Sequence, residues 1–240
     1  MIMCTFKLVG VSNYELYRKF HGTKSLEEYA EYLASFAAPG NRTATGEKAE
    51  RNGCSGPDVW IIREKHLDED TYVRFFTGLW KKFGDNQDRA VLIPHTYPAA
   101  ARKTGCSRIH LPLPLLRKYY GTENLAKIRE IGVSVHSAEE AREAENLGAA
   151  YLTLGHIFAT DCKAGLLPRG ISFLNQVCDS VRIPVYAIGG IHMENLHQIR
   201  ESMAAGACMM SEYMKEQDSS IFRHHAGSPS ATLSFPAACR

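Results

Sequence analysis

The chain has 240 residues and a formal net charge of +2 at pH 7, with a sequence pI of about 8.1. Lysine and arginine are scattered and never form a run of five or more, so a nucleic-acid partner is not expected. No apolar stretch approaches the roughly 18 residues that a membrane-spanning helix needs, so a membrane partner is not expected either. The length is sufficient for a large hydrophobic core, in one large domain or two small ones.

The cysteine pattern indicates free thiols. The number of cysteines is odd, no Cys-x-x-Cys pair occurs, and the first residues, MIMCTFKLVGVSNYE, carry no signal peptide. These features predict a cytoplasmic protein without a disulfide framework or a zinc site. The cysteines are Cys4, Cys54, Cys106, Cys162, Cys178, Cys208 and Cys239.

Short β-branched or apolar segments alternate with segments of helical spacing along the chain. This alternation predicts parallel strands joined by crossover helices. Eight such units in a chain close to the roughly 250 residues of a (β/α)₈ barrel predict an α/β fold made of a single TIM barrel. A doubly wound open sheet is the alternative. The predicted strands are residues 6–11, 58–63, 90–94, 107–111, 132–136, 151–155, 184–190 and 208–211.

Capping signals and breaks in the periodicity mark the predicted helices and the domain. Ser137 and Glu140 have the capping-box spacing, and Gly148 and Gly206 stand where helices should end, each just before a strand. The sequence predicts one domain over residues 1–216 with a long polar loop at about 39–57, and a C-terminal tail, 217–240, that is disordered or loosely docked. Helical spacing is found in 25–37, 70–83, 137–149, 171–181 and 193–207.

Polar residues and glycines follow the predicted strands. In a parallel barrel the C-terminal ends of the strands form the working face, so these residues should share one rim. They are Arg63, Glu64, Lys65, His95, Ser134, His136, His156, Lys163, Gly189, Gly190 and Ser211.

Gly189 and Gly190 end the seventh strand, where barrels commonly bind a phosphate. Without a Cβ, a glycine lets the main-chain N–H groups approach a ligand closely. The alternative is a tight turn that needs a positive φ. Arg63 and Lys65 place two cations at the end of the second strand, which suits an anionic substrate, although such residues are also common in solvated loops.

His156 follows the sixth strand and is the candidate acid–base residue. An imidazole exchanges a proton near neutral pH, as general acid–base catalysis requires. The alternative is a histidine that only completes local hydrogen bonds. His136 is more typical of a structural residue at a helix entry, and the role of His95 stays open. Cys162 has no activating partner at a suitable spacing, so an ordinary loop thiol is favoured.

The segment GVSVHSAEEAREAENLGAAYLTLGHIFATDCKAGLLPRGISFLNQVCDSVRIPVYAIGGI, residues 132–191, closely resembles the thiamine phosphate synthase superfamily. Within it, the segment is most similar to the TenI-type thiazole tautomerase branch. The resemblance is dense over about 107–211, recognisable at IIREK (61–65) and absent after about 216. It implies a (β/α)₈ barrel that works in thiamine biosynthesis, and it is compatible with a homodimer.

Individual positions separate the two branches. The synthase joins a pyrimidine diphosphate to thiazole phosphate with Mg²⁺, and its pattern carries acidic residues after the third and fourth strands. Here those loops read LIPHTYP (92–98) and IHLPLPLL (109–116), without a carboxylate for a cation that prefers oxygen ligands. Ile61 stands where the synthase carries a glutamine. Gly155-His156-Ile157-Phe158 replaces a Gly-Pro-x-Phe pattern.

The resemblance therefore implies a metal-independent tautomerase that needs no cofactor. Its substrate would be a phosphorylated thiazole small molecule, and His156 matches the catalytic histidine that moves a proton within a carboxythiazole phosphate. The synthase is the alternative activity. Positions matching the family's phosphate-binding and substrate-binding residues are Arg63, Lys65, Ser134, Lys163, Gly189, Gly190, Met210 and Ser211.

The end of the chain departs from the family pattern. The eighth strand is two or three residues short, the last helix is replaced by the tail, and Glu212 brings a carboxylate next to the expected phosphate site. A non-catalytic phosphate-binding barrel is therefore a third hypothesis. Loss of turnover in His156→Ala would separate the tautomerase from this binder.

Overall fold

The computed structural model describes residues 6–36, 56–83, 90–160, 163 and 165–215. Its eight strands form one parallel sheet in the order β3-β2-β1-β8-β7-β6-β5-β4, so the first and last strands are neighbours. All eight predicted strands are present, and the predicted barrel is confirmed. The strands are β1 (Lys7–Val11), β2 (Val59–Ile62), β3 (Val91–Pro94), β4 (Arg108–Pro112), β5 (Glu130–Val135), β6 (Tyr151–Gly155), β7 (Val185–Ile188) and β8 (Gly206–Met209).

Helices connect successive strands along the chain. Ser25 and Glu28 form a reciprocal capping box at the start of α2. No helix among the described residues is long and apolar enough to cross a membrane. The helices are α1 (Tyr14–His21), α2 (Leu26–Ser35), α3 (Glu69–Phe83), α4 (Pro98–Thr104), α5 (Leu113–Tyr119), α6 (Ala138–Asn146), α7 (Gly170–Asp179), α8 (Leu196–Arg200) and α9 (Ser211–Met214).

The predicted cap of α6 is confirmed with one difference. The Ser137 hydroxyl accepts a hydrogen bond from the Glu140 N–H at 3.2 Å. The Glu140 carboxylate accepts from the N–H of His136, one residue earlier than a capping box requires, at 2.6 Å. Gly148 follows the helix with φ 84°, which is the left-handed conformation of a glycine C-cap.

Two seams close the barrel. Along the first seam, β8 pairs with β1, with Lys7 opposite Gly206 at one end and Gly10 opposite Met209 at the other. The second seam joins β3 to β4 through a single bridge between His95 and His110. The Thr96 N–H extends this seam by donating to the His110 carbonyl at 3.0 Å, although Thr96 adopts a positive φ of 71°.

Buried apolar residues form two layers. The larger layer lies between the strands and the surrounding helices. The smaller fills the barrel with residues from β1, β2, β3, β6, β7 and β8, because inward and outward side chains alternate along each strand. Its members are Val9, Val11, Val59, Ile61, Ile93, Tyr151, Tyr186 and Cys208.

The chain beyond β8 is held by α1 and α2. The short helix α9 begins at Ser211, and its last carbonyls accept hydrogen bonds from side chains of the first two helices. His21 Nε2 lies 3.2 Å from the Met214 carbonyl oxygen. The Tyr32 hydroxyl lies 2.7 Å from the carbonyl oxygen of Tyr213 and 3.1 Å from that of Lys215. These contacts hold the short helix that follows β8 against α1 and α2.

The structure corrects the predictions for the end of the chain. The eighth strand was predicted at 208–211 but runs from Gly206 to Met209, so Ser211 begins a helix instead. Gly206 is not a helix cap, because it pairs with Lys7 on one side and Tyr186 on the other. The helix predicted at 193–207 is shorter, since α8 ends at Arg200. Most of the polar loop predicted at 39–57, and the tail at 217–240, lie outside the described residues.

Replacing Tyr32 with phenylalanine should destabilise the protein. The substitution removes the hydroxyl shared by two carbonyls of the last helix, which should lower the free energy of unfolding by about 1–2 kcal/mol. Urea unfolding measures the effect. Tyr120→Phe is the matched control, because this exposed tyrosine loses the same atom and should change stability by less than about 0.5 kcal/mol. Equal effects of the two substitutions would contradict the assignment.

Candidate active site

Three cations meet at the rim of the barrel. Arg63 and Lys65 follow β2, and Lys163 lies in the loop after β6, about a hundred residues later in the chain. The pKa of Lys65 is lowered mainly by the positive charge of Arg63, then by partial burial and by the charge of Lys163. Because like charges brought this close repel one another, an anion bound between them would be stabilised.

Glu64 lies between Arg63 and Lys65 in sequence but points into the protein and is 5% exposed. Its carboxylate accepts hydrogen bonds from the Ser12 hydroxyl at 2.5 Å, the Tyr29 hydroxyl at 2.9 Å and the Tyr14 N–H at 2.7 Å. Burial raises the pKa of Glu64 to about 7, although these donors act in the opposite direction. Glu64 therefore ties the ends of β1 and β2 to α2, as a structural residue at the rim.

The same cluster positions the main chain of a predicted substrate-binding residue. The Ser12 hydroxyl oxygen accepts a hydrogen bond from the Arg63 N–H at 2.8 Å while its proton goes to Glu64. Ser12 is fully buried. No local pattern in the sequence marks Ser12, because its partners lie more than fifty positions away in the chain.

His156 directly follows β6 and is partly exposed at the rim. Its Nε2 lies 2.9 Å from the carbonyl oxygen of Leu167 in the loop that leads to α7. The Arg169 N–H donates back to the His156 carbonyl at 3.1 Å, so the loop contacts both the main chain and the side chain of this residue. The structure thus places an oriented imidazole on the same rim as the three cations.

Gly189 and Gly190 allow the end of β7 to approach the segment that carries His156. Both have positive φ values, 101° and 66°. A Cβ on Gly189 would lie 2.8 Å from the His156 Cβ, and a Cβ on Gly190 would collide with the Ala159 carbonyl oxygen. The Phe158 N–H donates to the Gly189 carbonyl at 3.0 Å. The turn that was the alternative explanation for this pair is therefore real.

The same glycines leave main-chain donors available. Within the described residues, the N–H groups of Gly190, Ile191 and Ser211 have no hydrogen-bond partner. Such groups at the ends of adjacent strands are suitable donors for a phosphate. The phosphate site at Gly189, Gly190, Met210 and Ser211 stays a prediction, with these donors in its favour.

Side chains link the loops after β7 and β8. Asn195 donates to the Gly190 carbonyl and accepts from the His192 N–H, each at 2.8 Å. His192 Nδ1 lies 2.9 Å from the Glu212 carboxylate, which is also 3.4 Å from Lys215 Nζ. The carboxylate next to the expected phosphate site is thus paired with Lys215 and His192.

Ser134 belongs to a hydrogen-bonded network inside the barrel that the sequence analysis missed. His110 Nε2 lies 2.9 Å from the Ser134 hydroxyl, and its Nδ1 lies 3.1 Å from the Tyr151 hydroxyl. Thr153 donates to Ser134 at 3.1 Å. Gly132 makes room for this arrangement, because a Cβ there would overlap the Tyr151 ring. Ser134 is the most exposed member, so the network reaches the mouth of the barrel there.

The residues at the ends of β3 and β4 do not suit magnesium. The segments that follow β3 and β4, where the synthase pattern carries acidic residues, lie within LIPHTYP (92–98) and IHLPLPLL (109–116) and contain no carboxylate. His95 is buried in the seam between the two strands. Mg²⁺ requires hard oxygen ligands in octahedral geometry. Among the described residues, no group of three or more His, Cys, Asp or Glu is placed to hold a metal ion.

The two buried histidines of this region should make stability depend on pH. Burial, followed by the charge of Arg63, lowers the pKa of His110 to about 3. Burial and the neighbouring His110 hold the pKa of His95 well below its usual value. Because these pKa values are depressed, the stability contribution is complete above about pH 6.5, the unfolded value, and is lost as pH falls toward 3. Glu64 behaves in the opposite way, because its pKa is raised. Its contribution to stability is complete below about pH 4.5, the unfolded value, and is lost as pH rises through about 7.

We therefore expect His110→Gln to flatten the acid side of the stability profile. Below about pH 6, the wild-type protein should lose up to about 1.4 kcal/mol per pH unit more than the variant, which corresponds to one proton. Urea unfolding at pH 7.5, 6.5 and 5.5 measures the difference. His197→Gln removes an exposed histidine whose ring bonds only to a main-chain carbonyl, and it should leave the wild-type slope unchanged. Parallel profiles for His110→Gln and the wild type would disprove the role of His110.

Comparisons with known proteins support a common origin with enzymes of thiamine synthesis. A family model described as thiamine monophosphate synthase matches residues 37–213. The thiamine-phosphate synthase of Shouchella clausii is 39% identical over 169 residues, which cover 68% of this chain and 78% of that protein. That of Syntrophomonas wolfei subsp. wolfei is 42% identical over 109 residues, 45% of this chain and half of that protein.

A solved structure shows the same fold. The thiamine phosphate pyrophosphorylase from Pyrococcus furiosus superposes with a TM-score of 0.62 at 23% identity, over 91% of this chain and 94% of that one. The match to the family model spans most of the chain, and the Shouchella clausii relative is matched over more than two thirds of both sequences. The chain therefore belongs to the thiamine monophosphate synthase family.

Proposed function

We propose that this family member is a metal-independent thiazole tautomerase that converts the ylidene tautomer of a carboxythiazole phosphate into the aromatic one. The observation that carries the proposal is the placement of His156, a proton-exchanging group, on a rim whose β3 and β4 ends lack carboxylates. A proton shift within one molecule needs a positioned acid–base group and anion binding, and we assign both to side chains and main-chain N–H groups at this rim.

Each group of the rim takes a distinct part of the substrate. The cations Arg63, Lys65 and Lys163 face the ring carboxylate, and the main-chain N–H groups after β7 and β8 receive the phosphate. His156 removes the proton from the ring carbon next to the carboxylate. The electron pair of that C–H bond moves into the ring, and the exocyclic double bond takes a proton from His156 to form a new C–H bond. No group leaves, and no electron is exchanged with another molecule.

Thiamine phosphate synthesis is the second candidate, because the relatives reported above are named as synthases. That reaction transfers a pyrimidine from its diphosphate to thiazole phosphate. The residues at the ends of β3 and β4 do not supply the ligands that a magnesium diphosphate needs. We therefore assign to this chain the groups that would bind thiazole phosphate, but not the carboxylates that would bind a magnesium diphosphate.

The tautomerase hypothesis predicts conversion of the ylidene to the aromatic tautomer in EDTA. Proton NMR of the substrate mixed with the protein follows the reaction directly. His156→Ala should lower kcat by about 10²–10⁴-fold, the usual contribution of a general acid–base group. His197→Ala is the control, because this histidine is exposed on α8 and should retain the wild-type rate.

Other results of the same experiment separate the three hypotheses. Magnesium-dependent formation of thiamine phosphate from the pyrimidine diphosphate and thiazole phosphate would favour the synthase. Binding of the thiazole phosphate without turnover in either assay would favour a non-catalytic binding barrel. A His156→Ala variant as active as the wild type would refute the role given to His156.

Lys65→Met tests the anion site separately from catalysis. Removing one of three converging charges should raise KM about tenfold, equivalent to about 1.4 kcal/mol, with a smaller effect on kcat. The increase should shrink in high salt, since exposed charges are screened. Lys118→Met on the outer helix α5 removes the same charge away from the rim and should leave KM unchanged. A KM insensitive to Lys65→Met would contradict the proposed contact.

A further inference from the structure

The loop between β6 and α7 contacts the imidazole of His156 through a main-chain atom. Nε2 lies 2.9 Å from the Leu167 carbonyl oxygen. We propose that this loop holds His156 in the tautomer protonated at Nε2, so that Nδ1 is the atom that takes and returns the substrate proton. The proposal rests on the tautomerase function above and adds the identity of the reacting atom and the element that selects it.

The direction of this hydrogen bond follows from its chemistry. A carbonyl oxygen has lone pairs and no proton, so it only accepts. Nε2 must therefore donate, and a neutral imidazole that carries its proton on Nε2 has its lone pair on Nδ1. Among the described residues, no atom forms a hydrogen bond with Nδ1 of His156. Nδ1 is thus the nitrogen left to act as a base.

The main chain, not the Leu167 side chain, holds the carbonyl in place. The Leu167 side chain is 89% exposed and packs against little. Instead, the Arg169 N–H donates to the His156 carbonyl at 3.1 Å, and the Gly170 N–H donates to the Ile157 carbonyl at 2.9 Å. The segment 167–170 is therefore hydrogen-bonded to the main chain of residues 156–157 and to the side chain of His156.

The loop needs glycine at its bend. Gly165 has φ 83°, with open space where a Cβ would lie. The Leu166 N–H donates to the Lys163 carbonyl at 3.0 Å, so this bend also carries the cation that faces the substrate. One short loop therefore sets both a charge of the anion site and the tautomer of the base.

The hydrogen bond also favours the charged intermediate. When Nδ1 takes the ring proton, the imidazole becomes a cation that carries a proton on each nitrogen. A bond from a cationic donor is stronger than one from a neutral donor, so the Leu167 carbonyl stabilises the imidazolium more than the free base. The proton then returns from Nδ1 to the exocyclic carbon, which restores the starting tautomer without a second acid.

Nitrogen NMR of the ligand-free protein tests the tautomer without reference to activity. Protein labelled with ¹⁵N-histidine is measured at a pH where imidazoles are neutral, and His156 is assigned by comparison with His156→Gln. We expect its Nε2 to show the shift of a protonated nitrogen and its Nδ1 that of an unprotonated one. The reverse pattern, or an even mixture, would overturn the proposal.

Gly165→Ala tests whether the loop imposes this tautomer. Strain at the positive φ should displace the Leu167 carbonyl, mix the two tautomers and lower kcat by about fivefold to tenfold, the equivalent of about one hydrogen bond. KM should rise as well, because the same bend carries Lys163. Gly148→Ala is the matched control: its φ is 84° and its Cβ would also point into open space, but it caps α6. The control should keep the wild-type tautomer and kcat. If the Gly165→Ala variant keeps the tautomer and the kcat of the wild-type protein, the role of the loop is refuted.

The two proposals fail in distinguishable ways. If the wild-type protein shows the Nε2-protonated tautomer but does not isomerise the thiazole, the proposed function is wrong and the structural assignment stands. If isomerisation occurs while His156 is protonated at Nδ1, the function stands and the assignment of the reacting atom is wrong. Both readings are made on the unmodified chain, and the His156→Gln variant serves only to assign the nitrogen signals of His156.

Discussion

The pairing of β8 with β1 is the contact on which the geometry of the site depends. All C-terminal strand ends of a parallel sheet lie on one edge, and the pairing of the first strand with the last bends that edge into the ring of a barrel. Here they meet at Gly206, where a Cβ would collide with the Lys7 carbonyl oxygen and press on the Tyr186 ring. Although β8 has only four residues, it pairs with a strand on each side. The short strand thus closes the barrel, and α1 and α2 hold the chain that follows it.

The interior of the barrel is divided by chemistry. Strands β1 to β3 contribute aliphatic side chains, whereas β4 to β6 contribute the network of His110, Ser134, Thr153 and Tyr151. Buried polar groups are tolerated when they bond to one another, and this network supplies partners for both nitrogens of His110. Burial keeps that imidazole neutral, so it provides a hydrogen bond to Ser134 without adding a charge below the cationic rim.

Three cross-links fix the rim loops in relation to one another. Glu64 joins the ends of β1 and β2, the glycine pair brings the end of β7 against the segment after β6, and Glu212 joins the loops after β7 and β8 through His192. Proton transfer requires reacting atoms held within a fraction of an ångström, and mobile loops would not provide this. The same contacts explain why the departure at Glu212 does not leave an unpaired carboxylate beside the main-chain N–H groups of the proposed phosphate site.

Much of the fold and part of the site were accessible from local sequence. The eight strands, the helix start at Ser137 and the glycine cap at Gly148 follow from periodicity and from side chains a few residues apart. The alternation of strand and helix places the ends of all strands on one rim. The alternation was therefore enough to predict, before any tertiary contact was known, that one rim carries Arg63, Lys65, His156 and Gly189. The predicted end of the eighth strand was wrong because its bounds depend on pairing with β1, which no local pattern encodes.

The sequence by itself determined which residues reach the rim, because the repeat of the barrel carries that information along the chain. Only the tertiary structure decided how they are used. The Leu167 carbonyl that orients His156, the Arg63–Lys65–Lys163 cluster, the pairing of Glu212 and the network beneath Ser134 all join segments far apart in sequence or depend on a main-chain position. Such contacts arise from the closure and register of the sheet, and these are set by the packing of the whole chain.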